Sequence, residues 1–312
     1  MEVSGLGLDG FLHRFFIVAF LPTALAGLFV IVLVQAGAPG GVDLTALWRN
    51  MTHTSVAAIL VALVLSLMLA LLLSPALLGL VRTLEGLWPR WLRPLSSLGI
   101  WRQGRRRDRL IRREEFLLAK AAAGDEQALI DSGEIGALWR KRFPPGSTLL
   151  PTTFGNALSA SEGRAGSRYG WDAVVAWPRL YPLLPDRMQE IADDRRMRMD
   201  MMVSLAVYCT VSAAATGGLL ATTGYWLLLI LIPLSSAALA YRSATTAAVA
   251  YGDTLEVCFD LYRFQLLEQL HVPLPADSAA EKVIAERLCL QWRQGVEEPP
   301  LIYAHPVSAE LS

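Results

Sequence analysis

The chain has 312 residues, of which 54% are hydrophobic and only 18% charged, with a mean hydropathy of +0.40, and this excludes an ordinary water-soluble domain of that size. Formal net charge is +0, but arginine is concentrated in a few segments. Three cysteines, Cys209, Cys258 and Cys289, stand far apart, so the spacing offers no disulfide framework and predicts buried free thiols.

In chain order, the first apolar run is Phe15 to Gln35, free of charge. A bilayer core of about 30 Å needs roughly 20 such residues in helical form, so the run is long enough to cross. His13 and Arg14 before it and Ala36-Gly37-Ala38 after it imitate a secretory signal. The apolar stretch is longer than a signal requires and Pro39 follows the would-be cleavage point, so it reads as a retained span. A second run extends from Ser55 to Val81, a third from Met201 to Ala221, and a fourth from Tyr225 to Tyr241 and onward through small residues. These make four spans in two hairpins.

Orientation follows from the cations. Between Arg82 and Arg113 the chain carries ten arginines against Glu85 and Asp108, whereas the link between the first two runs offers Arg49 alone. Lys and Arg near span ends mark the cytoplasmic side. Arg14, Arg195, Arg196, Arg198 and Arg242 fit the same sense, which predicts both termini in the cytoplasm and two short external links.

This gives four segments: residues 1–81, a first transmembrane hairpin; 82–185, a cytoplasmic module apposed to the membrane; 186–250, a second hairpin with long cytoplasmic helical extensions; and 251–312, a cytoplasmic helical tail. The predicted fold is an all-α membrane protein with a helical cytoplasmic collar. The middle module opens with Trp88, Trp91 and Trp101 interleaved with arginines that include Arg105, Arg106 and Arg107. Tryptophan favours the headgroup level and arginine favours anionic lipid, so these six are candidate lipid-surface residues on the inner leaflet. Topology anchoring and nucleic-acid binding are the other readings of the arginines; adjacency to a span and three tryptophans favours lipid, and no nucleic-acid partner is expected.

Helix formers then run to Gly124, and a shorter helix follows. Thr152 or Thr153 is placed to cap a helix ending at Gly163, and Asp172 to cap another. Trp177, preceding Pro178, is expected to be extended. Arg168 is within reach of Asp172, and Arg179 is expected to meet an acid. Helical pattern resumes at Asp186 and continues without a breaker to Ala221. After the fourth run, Tyr251, Leu255, Cys258, Phe259, Tyr262, Leu266 and Leu270 form an amphipathic stripe. Asp260 and Arg263 on it form either a surface pair one turn apart or a buried pair between modules. Small residues at Ala213, Gly217 and Ala221 and at Ser236, Ala240, Ala244 and Ala248 allow close helix approach, within the chain or between subunits. Trp171, Asp172, Trp177, Arg179, Phe259, Asp260 and Arg263 are the candidates for packing the modules together.

The segment PTTFGNALSASEGRAGSRYGWDAVVAWPRLYPLLP, together with YGDTLEVCFDLYRFQLLEQLHVPLP, resembles a family of uncharacterised bacterial membrane proteins carrying PTxxGN, YGxDAVxxWPRL and FDLYRxxLL signatures. The resemblance covers Leu149 to Pro275. It implies a bacterial inner-membrane location and transfers no activity and no functional residue.

No GxxxxGK[ST], GxSxG, HExxH or CxxC pattern occurs, and the four histidines are scattered, so no catalytic, metal or cofactor residue is nominated. Ionisable groups within spans mark proton relays and many ion pathways, and the centres of these four runs carry none. The favoured expectation is a membrane-embedded interaction or regulatory component with anionic phospholipid and an unidentified protein as partners. A homo-oligomeric pore or channel and an enzyme at the cytoplasmic membrane face are the alternatives.

Overall fold

The computed structural model describes residues 12–73, 77–146, 148–295 and 303–304. Of the described residues 83% are helical, and none of them forms a strand. It divides into two units: unit 1 is Met1–Arg90 with Arg196–Ala247, and unit 2 is Trp91–Arg195 with Ala248–Ser312.

Unit 1 begins with α1, Leu12–Gln35. Pro22 has no N–H and would press its ring on the carbonyl four residues back. The backbone loosens there into one π-turn over Phe16–Phe20, with the Leu21 N–H reaching the Phe16 carbonyl. Helix α2, Leu44–His53, starts on Asp43, whose carboxylate accepts the Thr45 N–H at 2.8 Å. Asn50 on α2 donates to the Gln35 carbonyl at 2.8 Å, satisfying an orphan acceptor at the end of α1. Next come α3, Val56–Leu73, and α4, Leu77–Glu85. The second apolar run is therefore described as two helices, with residues 74–76 outside the described residues.

Helix α9, Asp186–Leu219, and helix α10, Leu231–Gln269, contribute residues to both units. The predicted long helix from Asp186 is thus present and ends two residues short of Ala221. Within unit 1, the buried positions of α9 include Met199, Val203, Ala206 and Ala213, a helical stripe. Buried hydroxyls on this helix bond back to their own turn, Ser204 to the Asp200 carbonyl at 3.0 Å and Thr216 to the Ser212 carbonyl at 2.8 Å. Leu33, Ala38 and Leu220 form a small core with Phe29 and Trp226 beside it. Arg14 and Arg196 both reach buried Asp200, at 2.9 and 3.3 Å. Of the expected small-residue faces, Ala213, Ala240 and Ala244 are buried while Ala221 is exposed.

Among the described residues, three helices are long and apolar enough to cross a membrane: Leu12–Gln35, Asp186–Leu219 and Gly224–Gln269. A fourth arises only if Leu44–His53 and Val56–Met68, bent by 98°, count as one span. The physical reason is local: Thr54 is extended, so the polar helix α2 cannot continue into α3.

Unit 2 opens with α5, Arg93–Ala122, and α6, Glu126–Arg142, folded as a hairpin over Gly124, which takes φ +99°. Glu114 fastens the pair by accepting the Trp139 indole N–H at 2.6 Å and meeting Arg140 at 3.2 Å. Helix α7, Thr153–Arg164, is capped by the Thr152 hydroxyl. Asn156 is fully buried, and its amide answers the Leu150 N–H and the carbonyls of Leu150 and Thr152 at 2.7 to 2.8 Å, so no polar atom of it is left over. Gly163 does not end α7. The stop is Gly166, in the left-handed region at φ +71°, where a Cβ would meet Trp171 and Phe259 at 2.7 and 2.9 Å.

Helix α8, Ala173–Leu180, starts on Asp172 as expected. Trp177 is not extended: Pro178 lies inside α8. The turn carbonyl that Pro178 leaves unbonded belongs to Val174, whose residue is exposed, so water can take it. The last helix, α11, spans Ser278–Gln294, from an Asp277 cap to Gly295.

Helices α7 and α10 approach closely at Gly252, where the Ser161 side chain occupies the place of a Cβ. The Ser161 hydroxyl lies 2.9 Å from the Ala157 carbonyl and 3.1 Å from the Ala248 carbonyl. Gly252→Ala should lower stability by about 1–3 kcal/mol through overpacking, read as a drop in unfolding temperature in detergent. Gly133→Ala, where nothing lies within 4 Å, should show no such drop.

Candidate functional site

The polar groups of unit 2 converge on the connector from Gly166 to Leu184, gripped by α10 and α11. Gly166 and Gly170 both take left-handed conformations, which turns the chain tightly enough to aim Tyr169 and Trp171 at these helices. Gly170 sits so near α11 that a Cβ would lie 2.8 Å from the Lys282 carbonyl.

Arg263 is the centre of the grip. Its Nε meets Glu281 at 2.7 Å, with side chains only 13% and 5% exposed. Its Nη1 donates to the Asp260 carbonyl, and its guanidinium stacks on Tyr169 at 3.8 Å and on Phe264 at 4.3 Å. The Asp260 carboxylate accepts the Tyr169 hydroxyl at 2.8 Å, and that bond raises the Tyr169 pKa. Asp260 and Arg263 are therefore not an ion pair one turn apart. Arg263 reaches into α11 instead.

A second contact set lies along the same connector. Asp172 pairs with Arg293 rather than Arg168, and its N–H points at the Cys289 sulfur at 3.3 Å. Trp171 is buried, stacks on Trp292 at 6.1 Å and keeps an indole N–H without an acceptor. Arg179 meets no acid in these contacts; it covers the Trp292 ring at 4.3 Å and donates to the Val175 carbonyl. Trp177 tilts against Tyr181 at 5.6 Å, and the Tyr181 hydroxyl reaches Asp193 at 2.7 Å. Phe259 is fully buried.

A third set joins α6, α7 and α10. Lys141 meets Asp253 at 2.8 Å, while Arg164 meets Glu256 at 2.9 Å and Asp253 at 3.5 Å. Burial raises the Glu256 carboxyl, and the nearby Arg164 opposes that rise.

Beside the connector is a cleft of about 440 Å³ bordered by Ser159, Glu162, Ser167, Trp171, Asp172 and Glu286. Three carboxylates and two hydroxyls make it rich in acceptors, which suits a cation or a hydrogen-bond donor. Among the described residues, no group of three or more His, Cys, Asp or Glu could hold a metal ion.

The six lipid-surface candidates fall in different settings. Trp88 belongs to unit 1 and donates to the Thr83 carbonyl at 2.7 Å. Trp91 and Trp101 are exposed in unit 2, and Arg105 stacks over Trp101 at 4.1 Å. Arg106 and Arg107 turn toward the chain, to Thr153 at 3.4 Å and to the Gly146 carbonyl at 3.0 Å.

Glu281, Trp292 and Arg293 went unnoticed in the sequence because they lie in a short amphipathic helix with no motif. The Asp277 cap was the only local sign that a helix would bring them together. All three cysteines are free and buried, and burial pushes Cys258 and Cys289 up to about 11. No protein-family model, curated protein or solved structure matches the chain.

Removing one member of a buried ion pair strands the other charge. Arg263→Met and Glu281→Leu alone should each cost about 3–5 kcal/mol, and the double variant should recover most of the loss; denaturant unfolding of the four proteins provides the cycle. Thiol titration provides a separate check. At neutral pH the native chain should take up a thiol reagent orders of magnitude more slowly than a free cysteine, since thiolate is the reactive form, and all three thiols should react at once on unfolding.

Proposed function

We propose that the chain is a multi-pass protein of the bacterial inner membrane that acts as a membrane-embedded interaction or regulatory component. In this reading it has four spans in two hairpins, both termini in the cytoplasm, and unit 2 as a helical cytoplasmic collar. The observation that carries the proposal is the membership of α9 and α10 in both units. Each helix includes a stretch long and apolar enough to cross a membrane, and each also supplies polar groups to unit 2, Asp193 on α9 and Asp253, Glu256, Asp260 and Arg263 on α10.

The distribution of arginine supports the orientation. The run from Arg82 to Arg113 follows the second apolar segment, and Arg49 is alone in the first link. Burial of Ala213, Ala240 and Ala244 within one chain favours the interaction reading over a pore, because those small-residue faces already have neighbours.

Topology is tested with single cysteines at Met51 and Val283, exposed positions on α2 and α11. In intact spheroplasts the Met51→Cys variant should react with a membrane-impermeant maleimide and the Val283→Cys variant only after lysis. The reverse pattern would overturn the orientation, and equal reaction of both before lysis would overturn the spanning topology. The native thiols give little background because they are buried.

A further inference from the structure

The arginine-rich helix α5 has two unlike sides. At 100° per residue, Leu95, Leu98 and Trp101 cluster along one side, and Arg102, Arg105 and Arg109 continue the same strip; Trp91 is exposed in the 3-10 turn Arg90–Leu92 that leads into α5. The four apolar residues are 54 to 77% exposed. The other side is taken. A Cβ on Gly99 would lie 2.6 Å from Pro151, Gly104 lies against Leu149, Gln103 donates to Thr153 at 3.0 Å, and Arg107 donates to the Gly146 carbonyl. Packing on Gly146, Leu149, Pro151 and Thr153 therefore fixes which strip faces outward.

That strip changes character along its length. Its first part is tryptophan and leucine, its second part is arginine, and Arg105 stacks on Trp101 where the two meet. Asp108 is the only acid between residues 93 and 113; it follows Trp101 by seven residues, at the edge of the strip, and lies 3.6 Å from Arg107. We propose that this outward strip of α5 is a docking surface for a bilayer containing anionic phospholipid, with Trp91, Leu95, Leu98 and Trp101 entering the headgroup and acyl boundary and Arg102, Arg105 and Arg109 meeting phosphates. The inference rests on the membrane reading given above and adds the partner of one face.

The pairing of residue types selects the occupant. A nucleic acid would use the arginines but has no place for Leu95 and Leu98. An amphipathic helix with indole rings on its apolar part and guanidinium groups on its polar part matches the depth profile of an anionic leaflet. Positive charge outweighs negative along the strip, Arg102, Arg105 and Arg109 against Asp108 at its edge, and attraction of that kind falls with salt.

The test uses the full chain in lipid nanodiscs, with Leu98→Cys carrying an environment-sensitive fluorophore. The discs contain either phosphatidylcholine alone or phosphatidylcholine mixed with phosphatidylglycerol. A blue-shifted probe protected from aqueous iodide in the anionic discs, and reverting in high salt, is the expected result. Adding Arg102→Gln, Arg105→Gln and Arg109→Gln should lower the docked-to-undocked ratio on the order of 100-fold, without lowering thermal stability. Identical spectra in the two kinds of disc, or indifference to the triple substitution, would overturn the docking proposal. Probe protection that appears only with added RNA or an acidic protein would overturn it in favour of that partner. A chain that inserts into discs with its probe still wet removes this inference alone, whereas a chain that fails to enter discs removes the membrane reading as well.

Discussion

A guanidinium withdrawn from water must meet acceptors around its plane, and at Arg263 that requirement organises much of unit 2. Its partners come from three places in the chain: Glu281 from α11, the Asp260 carbonyl from its own helix, and the ring of Tyr169 from the connector. Desolvation of such a pair costs several kcal/mol unless geometry compensates. The geometry exists only when α10, α11 and the connector are all in place, so the pair acts as a condition on assembly. The Trp171 and Trp292 stack and the Asp172 and Arg293 pair fix the same connector on α11 from the other end.

Apolar packing meets a comparable condition where α7 crosses α10. The crossing requires glycine at 252 because the Ser161 side chain fills the space, and the Ser161 hydroxyl finds its acceptors in two helices at once. In unit 1 the constraint is different. The Ser204 and Thr216 hydroxyls bond back along α9, and Asp200 is held by two arginines, while long apolar surfaces such as Val56, Leu60 and Leu65 are uncovered. Surfaces of that kind are stable against hydrocarbon and costly against water.

What the sequence revealed was local. The Asp172 cap, the Gly124 stop and the long helix from Asp186 each depend on a few adjacent residues, and all three are present. Ambiguity entered where one signal had several possible carriers: EGRAG offers two glycines, and the second ends the helix because Trp171 and Phe259 crowd it. The residue before a proline is biased toward extension, but burial of Ala173, Ala176 and Leu180 favours helix through Trp177. Partners across the chain were not legible. Asp260 is the nearest acid to Arg263 along the helix, yet Glu281 lies across a turn that sequence spacing does not measure. The orientation of the arginine run had a trace in Gly99, Gln103 and Gly104, small or neutral residues on one side of α5, but that trace acquires meaning only once Leu149, Pro151 and Thr153 are seen to lie against it.

The division of unit 2 into two stretches of chain sets an order of events during synthesis. Residues 91–195 emerge first, and the α5 and α6 hairpin can close from its own local contacts. Ser161, Tyr169 and Trp171 must then wait, because Gly252, Asp260, Arg263, Glu281 and Trp292 have not been made. At about 5–20 residues per second, the remaining hundred or so residues take about 5–20 s. During that interval the surfaces of α7 and the connector that face α10 and α11, with Ser161 and Trp171 among them, lack the helices they pack on. A stalled or truncated ribosome product ending before α10 would thus present an open half-core to chaperones and proteases, and the nascent chain's vulnerability is written into the discontinuity of the unit itself.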